Sequence, residues 1–551
     1  MGLKQVGFID WFQFKFPEAV RNVPRREQAR FDSVFVDVNC ILHPAVLGAK
    51  NEATFIKNLF LILDKLLSQF IPTRICYFSV DGPAPAAKIV TQKSRRATKG
   101  GSKASSGMSK LQITPGCPFM TRLERYLSYY AVRYLQQRDK RDVPPTLKFV
   151  VDHSNNPGEG ESKIIENIVQ QANNIRGRPC AIISVDSDAV LQAIAIGVPN
   201  VYAVRKGNPS KPVLVISIDR FMRTIEELFP GESDRVRLDF CALCLFRGND
   251  YLRGLTVGLD TLWKAYLYTK LVDPVIQQRG ALRHLIDAEF KTFDLVFLKQ
   301  LLFNSYKNSR NLELPRNLQP RSQLQPQQHP SKSPKPPQSQ PTPLQPQPTP
   351  LQPQPTPLQP QEQYQAGEGV YELASDMESA DEDIDSETDD DEDEDKNKNE
   401  NNDAEDPITG QDSEDETATK KFSINKFLTG VLWNLEMYCS GKCPDVSFCY
   451  NYPSSPPRRA LISFVNSTAQ MKRYRTLQPS ATTKLISVER SDKKYLHPLV
   501  CALILLPQEK GAMYLPQSIA PLHTQLVPSE SRYLSFDEME AVDVKADSVT
   551  T

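Results

Sequence analysis

The stretch Ser33-Val34-Phe35-Val36-Asp37-Val38 has the β-branched and aromatic composition of a buried strand, and residues 54–70 after it show apolar residues at helical spacing. This strand-then-helix unit recurs along the first 200 residues. Further strands are predicted at 75–80, 148–151 and 181–185, and further helices at 86–99, 118–136 and about 160–175. Alternation of this kind predicts an α/β fold with a mostly parallel sheet flanked by helices. Ligands of such sheets bind beyond the carboxyl ends of the strands.

Acidic residues occur at or after the end of each predicted strand. The third strand is followed by a Gly-rich turn with two glutamates, the fourth by an Asp-Ser-Asp sequence, and one more acid follows a helical stretch at 237–246. The complete set is Asp37, Asp81, Glu159, Glu161, Asp186, Asp188 and Asp250. A single aspartate at a strand end is usually a turn or cap residue. Repetition on successive elements instead predicts one shared acidic site.

Seven neighbouring carboxylates would repel one another strongly unless cations neutralised them. An oxygen-rich ligand set without a matching His or Cys cluster favours Mg²⁺, with Mn²⁺ as a substitute, over zinc. Two such ions can activate a water molecule and stabilise the leaving oxygen of a phosphodiester. The acidic set is therefore predicted to be both the metal-binding and the catalytic site.

A cationic helix face follows Asp81. Lys88, Gln92, Arg95 and Arg96 have the spacing i, i+4, i+7 and i+8, which places them on one side of the predicted helix. Arginine can hold phosphate oxygens in a bidentate manner, so this face suits a terminal phosphate. A solvated basic helix face is the alternative interpretation.

Composition separates the chain into folded and unfolded parts. Between Asp376 and Glu416 there are 22 acidic residues and two lysines, and the remainder holds 64 basic residues against 44 acidic ones. A basic folded part is typical of proteins with phosphate-rich partners. Ten scattered cysteines, with neither a signal peptide nor an apolar run of membrane-spanning length, predict an intracellular protein of a reducing compartment without a membrane partner.

The middle of the chain is predicted to be a disordered insertion. Residues 315–361 hold 16 of the 44 prolines, and PTPLQPQ occurs three times in tandem at 341–361. Such a segment favours an extended spacer, with a docking site for a proline-reading protein as the alternative. The acidic run after it is too polar to bury a core and either solvates the chain or binds a partner.

The order and spacing of these motifs resemble the Xrn family of 5′-to-3′ exoribonucleases. The resemblance rests on residues 35–43, on Asp81-Gly82 with the cationic helix, on Thr114-Pro115-Gly116, and on the segments 157–163, 185–188 and 248–252. It covers most of residues 1–310. A fainter continuation lies at 430–441 and 497–516. Val446, Ser447 and Phe448 stand where the family usually has tryptophans, so no second base-stacking residue is identified.

The resemblance implies a PIN/flap-nuclease-like core that removes nucleotides one at a time from single-stranded RNA with a 5′-monophosphate. By position, the seven acids correspond to the family's Mg²⁺ site, and Lys88, Gln92, Arg95 and Arg96 to its 5′-phosphate pocket. His43 matches the residue that stacks on the leading nucleotide. We expect a nuclease segment at 1–312, a disordered linker at 313–420, a mainly helical second segment at 421–540 that packs on the core, and a disordered tail at 541–551.

Two other functions stay open at this point. A 5′ DNA exonuclease or flap endonuclease would use the same acidic sheet edge, and an RNA-binding scaffold without activity could keep the fold. We also expect a monomeric core, located in the nucleus or the cytoplasm with a slight preference for the nucleus.

Overall fold

The computed structural model describes residues 7–98, 107–137, 144–205, 212–278, 284–286, 292–306, 421–467, 486–523 and 536–542. The predicted linker at 313–420 and residues 543–551 of the predicted tail lie outside the described residues. All described residues belong to one compact unit. Within these residues, no helix combines the length and the apolar character that crossing a bilayer requires.

Seven strands form one sheet. They are β1 (Val20–Val23), β2 (Ala29–Asp37), β3 (Phe70–Ser79), β4 (Lys148–Asp152), β5 (Cys180–Ile183), β6 (Val201–Arg205) and β7 (Val213–Ser217). Their order across the sheet is β1-β7-β6-β5-β2-β3-β4. The five strands from β2 to β6 run parallel to one another, whereas β7 pairs antiparallel with both β6 and β1. The predicted mostly parallel sheet is confirmed.

Helices flank the sheet, and the described residues of the second segment form helices and no strand. In the N-terminal part they are α1 (Phe8–Lys15), α2 (Asn39–Val46), α3 (Glu52–Gln69), α4 (Ala86–Thr98), α5 (Pro118–Gln136), α6 (Gly160–Gln170), α7 (Ala172–Ile175), α8 (Ser187–Ile196), α9 (Ile218–Leu228), α10 (Ser233–Leu245), α11 (Leu259–Leu271), α12 (Pro274–Gln277) and α13 (Leu295–Tyr306). In the C-terminal part they are α14 (Ile424–Ser440), α15 (Arg458–Asn466), α16 (Pro498–Leu505) and α17 (Gln508–Gly511). The mainly helical second segment is confirmed.

The sheet separates two apolar cores. In β2, Val34 and Val36 join one buried cluster, and Phe35 between them joins the other. Alternate side chains of a strand point to opposite faces, so burial of all three requires cover on both sides. This burial holds β2 at the centre of the sheet, where its carboxyl end carries Asp37.

Two features of the sheet differ from the sequence prediction. The strands β1, β6 and β7 were not predicted, and the fourth predicted strand ends at Ile183, so that Val185 lies beyond the sheet and is 40% exposed. The sequence between β6 and β7 is too short for a crossover helix, which explains why β7 turns back antiparallel. The end of β5 at Ile183 leaves residues 184–186 free of the sheet to form the turn before α8.

The second segment packs closely on the N-terminal core. Helix α14 contacts α6, α8 and α10. Its C-cap is Gly441, whose φ of 72° is left-handed. A Cβ added to Gly441 would lie 2.2 Å from the Glu166 backbone nitrogen of α6. Only a glycine allows this approach, because any side chain would collide with the α6 backbone.

We predict that Gly441→Ala destabilises the protein by about 3 kcal/mol, since a left-handed alanine costs about 1–2 kcal/mol and an overpacked contact about 1–3 kcal/mol. Urea unfolding measures the change. Gly177→Ala is the matched control, because Gly177 has a φ of 79° but nothing within 4 Å of its added Cβ. Equal losses in the two variants would contradict the packing role of Gly441.

Candidate functional site

The predicted acidic residues meet at the carboxyl edge of the parallel strands. Asp37 is the last residue of β2, and Asp81 lies just beyond β3. Glu159 is the N-cap of α6, and Asp186 is the N-cap of α8. Glu161 and Asp188 therefore lie in the first turns of these two helices. Parallel strands end at the same side of a sheet, which brings the four places together.

Asn39 and Gly160 join Asp37 to Asp81. The Asn39 backbone N–H donates to Asp37 Oδ1 at 3.1 Å, and its Nδ2 donates to Asp81 Oδ2 at 2.7 Å. The Gly160 N–H donates to Asp81 Oδ1 at 2.6 Å. A Cβ at Gly160 would lie 3.0 Å from Asp37 Oδ1 and 3.2 Å from Asp81 Oδ1, so a side chain here would press against both carboxylates.

Ser184 occupies the centre of the acidic set. Its Oγ lies 3.1 Å from Asp37 Oδ2 and 2.7 Å from Glu161 Oε1, and it accepts the Asp186 N–H at 3.1 Å. A hydroxyl has one hydrogen, so it donates to one of the two carboxylates at a time. Asp186 in turn accepts the Asp188 N–H at 3.1 Å and caps α8.

Burial and mutual repulsion disfavour the charged form of several carboxyl groups at this edge. Burial, followed by the charge of Asp81, raises the pKa of Asp37 to about 8. Burial and neighbouring aspartates also raise the pKa of Glu161 and that of Asp188 well above their usual values. A group whose charged form is this disfavoured near neutral pH is typical of a functional site.

Asp250 differs from the other acids because two cations of α4 neutralise it. Its carboxylate lies 2.9 Å from Lys88 Nζ and 2.5 Å from an Arg95 nitrogen. Burial alone would raise the pKa of Asp250, but Lys88 and Arg95 lower it to about 2. Lys88 also lies 3.0 Å from Glu159 Oε2. Lys88 therefore connects Asp250 to the acidic edge.

The predicted cationic face of α4 has two parts in the structure. Lys88 and Arg95 contact acids, whereas Gln92 and Arg96 line a cavity of about 80 Å³ together with His43. Arg96 donates to Thr114 Oγ1 at 3.0 Å and to the Leu505 carbonyl at 3.3 Å, and burial lowers its pKa to about 10. The four side chains thus do not converge on one point, because Asp250 draws two of them away.

Aromatic residues of the second segment pack next to the turn that carries Asp250. Trp433 is fully buried, donates its indole N–H to the Asp445 carbonyl at 2.9 Å and packs against Tyr251 at 5.5 Å between ring centroids. Phe448 stacks on Trp433 at 5.2 Å. His43 is exposed at the cavity instead. Trp433 therefore belongs to the apolar core, whereas the His43 ring is accessible.

The donor chemistry of the edge fits divalent cations. The candidate ligands are all carboxylate oxygens, and Glu159 Oε1 is buried without a hydrogen-bond partner. Among the described residues, no three His, Cys, Asp or Glu side chains are arranged so that they could hold a metal ion as they stand. Hydrogen bonds of Asn39 and Ser184 and the Lys88 ion pair hold the carboxylates instead. The carboxylates fit divalent cations by their charge and donor type. Asn39, Ser184 and Lys88 keep these carboxylates close together.

Sequence reasoning missed Asn39 and Ser184 as parts of the site. A local signal existed for both, since Asn39 lies two residues after Asp37 and Ser184 two residues before Asp186. Their importance comes from carboxylates distant in sequence, which a local pattern does not reveal.

We predict that the metal-free protein becomes less stable as the pH rises from 5 to 8. The folded state keeps a proton on Asp37 up to about pH 8, whereas the unfolded state loses it near 3.8, so raising the pH in this range favours unfolding. One such proton contributes a slope of up to about 1.4 kcal/mol per pH unit. Urea unfolding with a chelator should show a flatter slope for Asp37→Asn. An identical slope in wild type and variant would contradict the protonated state of Asp37.

Comparison with known proteins finds a family model that matches the N-terminal part of the chain. Residues 1–207 match the family model described as the XRN 5'-3' exonuclease N-terminus. A 5'-3' exoribonuclease 2 of Gallus gallus is 26% identical over 261 residues, which is 37% of this chain and 27% of that protein. A 5'-3' exoribonuclease 1 of Saccharomyces cerevisiae is 25% identical over 331 residues, which is 50% of this chain and 21% of that protein.

The matches therefore span about a quarter of the length of these curated relatives. Among solved structures, the catalytic core of Rad2 in complex with DNA substrate aligns with a TM-score of 0.30 and 16% identity, over 54% of this chain and 80% of that chain. That similarity is too low to carry an argument. The family match and the relatives lead to one conclusion: the first 207 residues of the chain are similar to the N-terminus of the Xrn 5′–3′ exonucleases.

Proposed function

We propose that the protein is a divalent-metal-dependent 5′-to-3′ exoribonuclease that releases mononucleotides from single-stranded RNA with a 5′-monophosphate. The observation that carries this proposal is the cavity of about 80 Å³. It is lined jointly by Asp81 and Glu159 of the acidic edge, by Gln92 and Arg96 of α4, and by His43. A terminal phosphate bound there would lie directly beside the catalytic carboxylates.

The lining of the cavity supports binding of a phosphate end, because Gln92 and Arg96 offer an amide and a guanidinium there. Arg96 is fixed by Thr114 and by the Leu505 carbonyl, so its guanidinium is already oriented at the cavity. An oriented guanidinium binds phosphate oxygens with little loss of side-chain entropy.

The acidic edge would hold the metal ions of the reaction. The proposed ligands are Asp37, Asp81, Glu159, Glu161, Asp186, Asp188 and Asp250. Two divalent cations held there, Mg²⁺ by preference, would supply activation of the attacking water and stabilisation of the leaving oxygen. Asn39, Gly160 and Ser184 keep the carboxylates grouped before metal binding. Burial and, after it, mutual repulsion raise the pKa of Asp37, Glu161 and Asp188, and the repulsion favours cation binding at this edge.

His43 would stack on the leading base of the RNA. Its side chain is exposed and lines the cavity, so a nucleotide with its 5′-phosphate near Arg96 would bring its base towards the imidazole ring. Stacking accepts any base, which suits stepwise degradation without sequence preference. Within this proposal, residues 1–312 are the nuclease segment and 421–540 the segment that completes it.

The proposal predicts a defined order of substrates. With Mg²⁺, 5′-monophosphorylated single-stranded RNA should be degraded to mononucleotides at least about tenfold faster than 5′-triphosphorylated RNA or 5′-phosphorylated DNA of the same sequence. Chromatography of the products over time measures this. Preference for DNA would favour the flap endonuclease or DNA exonuclease alternative. Absence of mononucleotides from every substrate would favour the inactive RNA-binding scaffold.

Asp186→Ala/Asp188→Ala provides the control for the metal assignment within that assay. Loss of several kcal/mol of transition-state stabilisation corresponds to a decrease in rate of about a thousandfold. Asp234→Ala is the matched surface control, because the Asp234 side chain is 83% exposed. Mononucleotide release that persists in the double variant would overturn the assignment of these two aspartates.

A further inference from the structure

The turn that presents Asp250 is closed by the side chain next to it. Asn249 Oδ1 accepts the backbone N–H groups of Tyr251 and Leu252, both at 3.0 Å. The Asn249 N–H in turn donates to the Leu252 carbonyl at 3.0 Å. The position of Asp250 therefore depends on the orientation of the Asn249 amide.

Helix α14 of the second segment fixes that amide. Asn249 Nδ2 donates to Asn434 Oδ1 and to the Tyr438 hydroxyl oxygen, both at 2.9 Å. The Asn434 amide is itself oriented, because its Nδ2 donates to the Gly430 carbonyl at 2.8 Å. Asn249, Asn434 and Tyr438 are all buried. Buried hydrogen-bonded groups of this kind specify one arrangement, since a rotated amide would lose its partners.

The same helix supports the turn by packing. Trp433 contacts the ring of Tyr251, and a Cβ added to Gly430 would lie 2.9 Å from Leu252 Cδ1. The residues on both sides of the amide network thus leave little room for the turn to shift. Polar and apolar contacts of α14 act on the same short stretch, residues 249–252.

Two opposing sets of charges act on Asp250. Lys88 and Arg95 attract its carboxylate, whereas the charge of Asp188 repels it. Lys88 also contacts Glu159, so this lysine favours a position of Asp250 at the acidic edge. The restraint that α14 places on the turn acts together with Lys88 against the repulsion by Asp188.

We infer that Asn434 and Tyr438 are positioning residues of the metal site, which act through Asn249 to hold Asp250 at the acidic edge. Both lie beyond the N-terminal match, which ends at residue 207. The inference rests on the proposed function, since it assigns to the second segment a role in metal binding. Loss of a partner that orients a metal ligand typically weakens metal affinity by about 10- to 100-fold.

Asn434→Leu in the full-length chain tests this inference. Calorimetric titration with Mn²⁺ in the absence of RNA should show a Kd at least about tenfold higher than that of the wild type for the site that includes Asp250. The Mg²⁺ concentration for half-maximal RNA degradation should rise in parallel, while the KM for RNA at saturating Mg²⁺ stays within about twofold. Tyr438→Phe keeps the shape of the ring and leaves Asn434 in place, so it should give a smaller change in the same direction.

Asn304→Leu is the matched structural control. Asn304 is also a buried asparagine, and it donates to Thr269 Oγ1 at 3.0 Å and to Asp273 Oδ2 at 2.9 Å in the helices α11–α13, outside the acidic edge. Its loss should lower the Tm without changing the Mn²⁺ Kd. A general loss of stability is thereby separated from a loss of metal positioning.

Combination with Asp250→Ala decides between a direct and an indirect role. If Asn434 acts through Asp250, Asn434→Leu should cause no additional loss of Mn²⁺ affinity in the Asp250→Ala background. A further tenfold loss there, or wild-type Mn²⁺ affinity in both Asn434→Leu and Tyr438→Phe, would overturn the inference while wild-type RNA degradation still upheld the proposed function. A wild-type protein that neither binds Mn²⁺ nor degrades RNA would overturn both.

Discussion

Mutual repulsion among buried carboxylates is the constraint on which the rest of this structure depends. A parallel sheet brings Asp37 and Asp81 to one edge, and the starts of two helices add further acids. These charges remain together because backbone N–H groups, Asn39, Ser184 and Lys88 offset the repulsion. Carboxylates that repel one another in the absence of cations are suited to bind cations. This property connects the fold to the proposed chemistry.

The site is composite, and the second segment supplies part of it. Cys501 and Leu505 of α16 line the cavity that we assign to the 5′-phosphate, and the Leu505 carbonyl holds Arg96. Helix α14 supports the turn that carries Asp250. The close contact at Gly441 brings α14 against α6, the helix that carries Glu161. Phosphate binding and metal binding are therefore both proposed to depend on contacts between the two segments.

Local sequence patterns predicted the parts of the fold that depend on local physics. Strand composition located β2 to β5, helical spacing located α4 and α5, and an acid at each strand end indicated the carboxyl edge of the sheet. The strands β1, β6 and β7 were missed, because their short sequences carry no chemical signal. The division of the α4 cations was also missed. Lys88 and Arg95 turn away from the cavity because Asp250, more than 150 residues later, lies beside them.

Anomalous diffraction from crystals soaked in Mn²⁺ would test the central claim most directly. The account predicts anomalous peaks at the carboxyl edge of the sheet, among Asp37, Glu161, Asp188 and Asp250, adjacent to the cavity that holds Arg96. Peaks confined to other acidic surfaces, or no peak at this edge at an ion concentration that saturates RNA degradation, would contradict it.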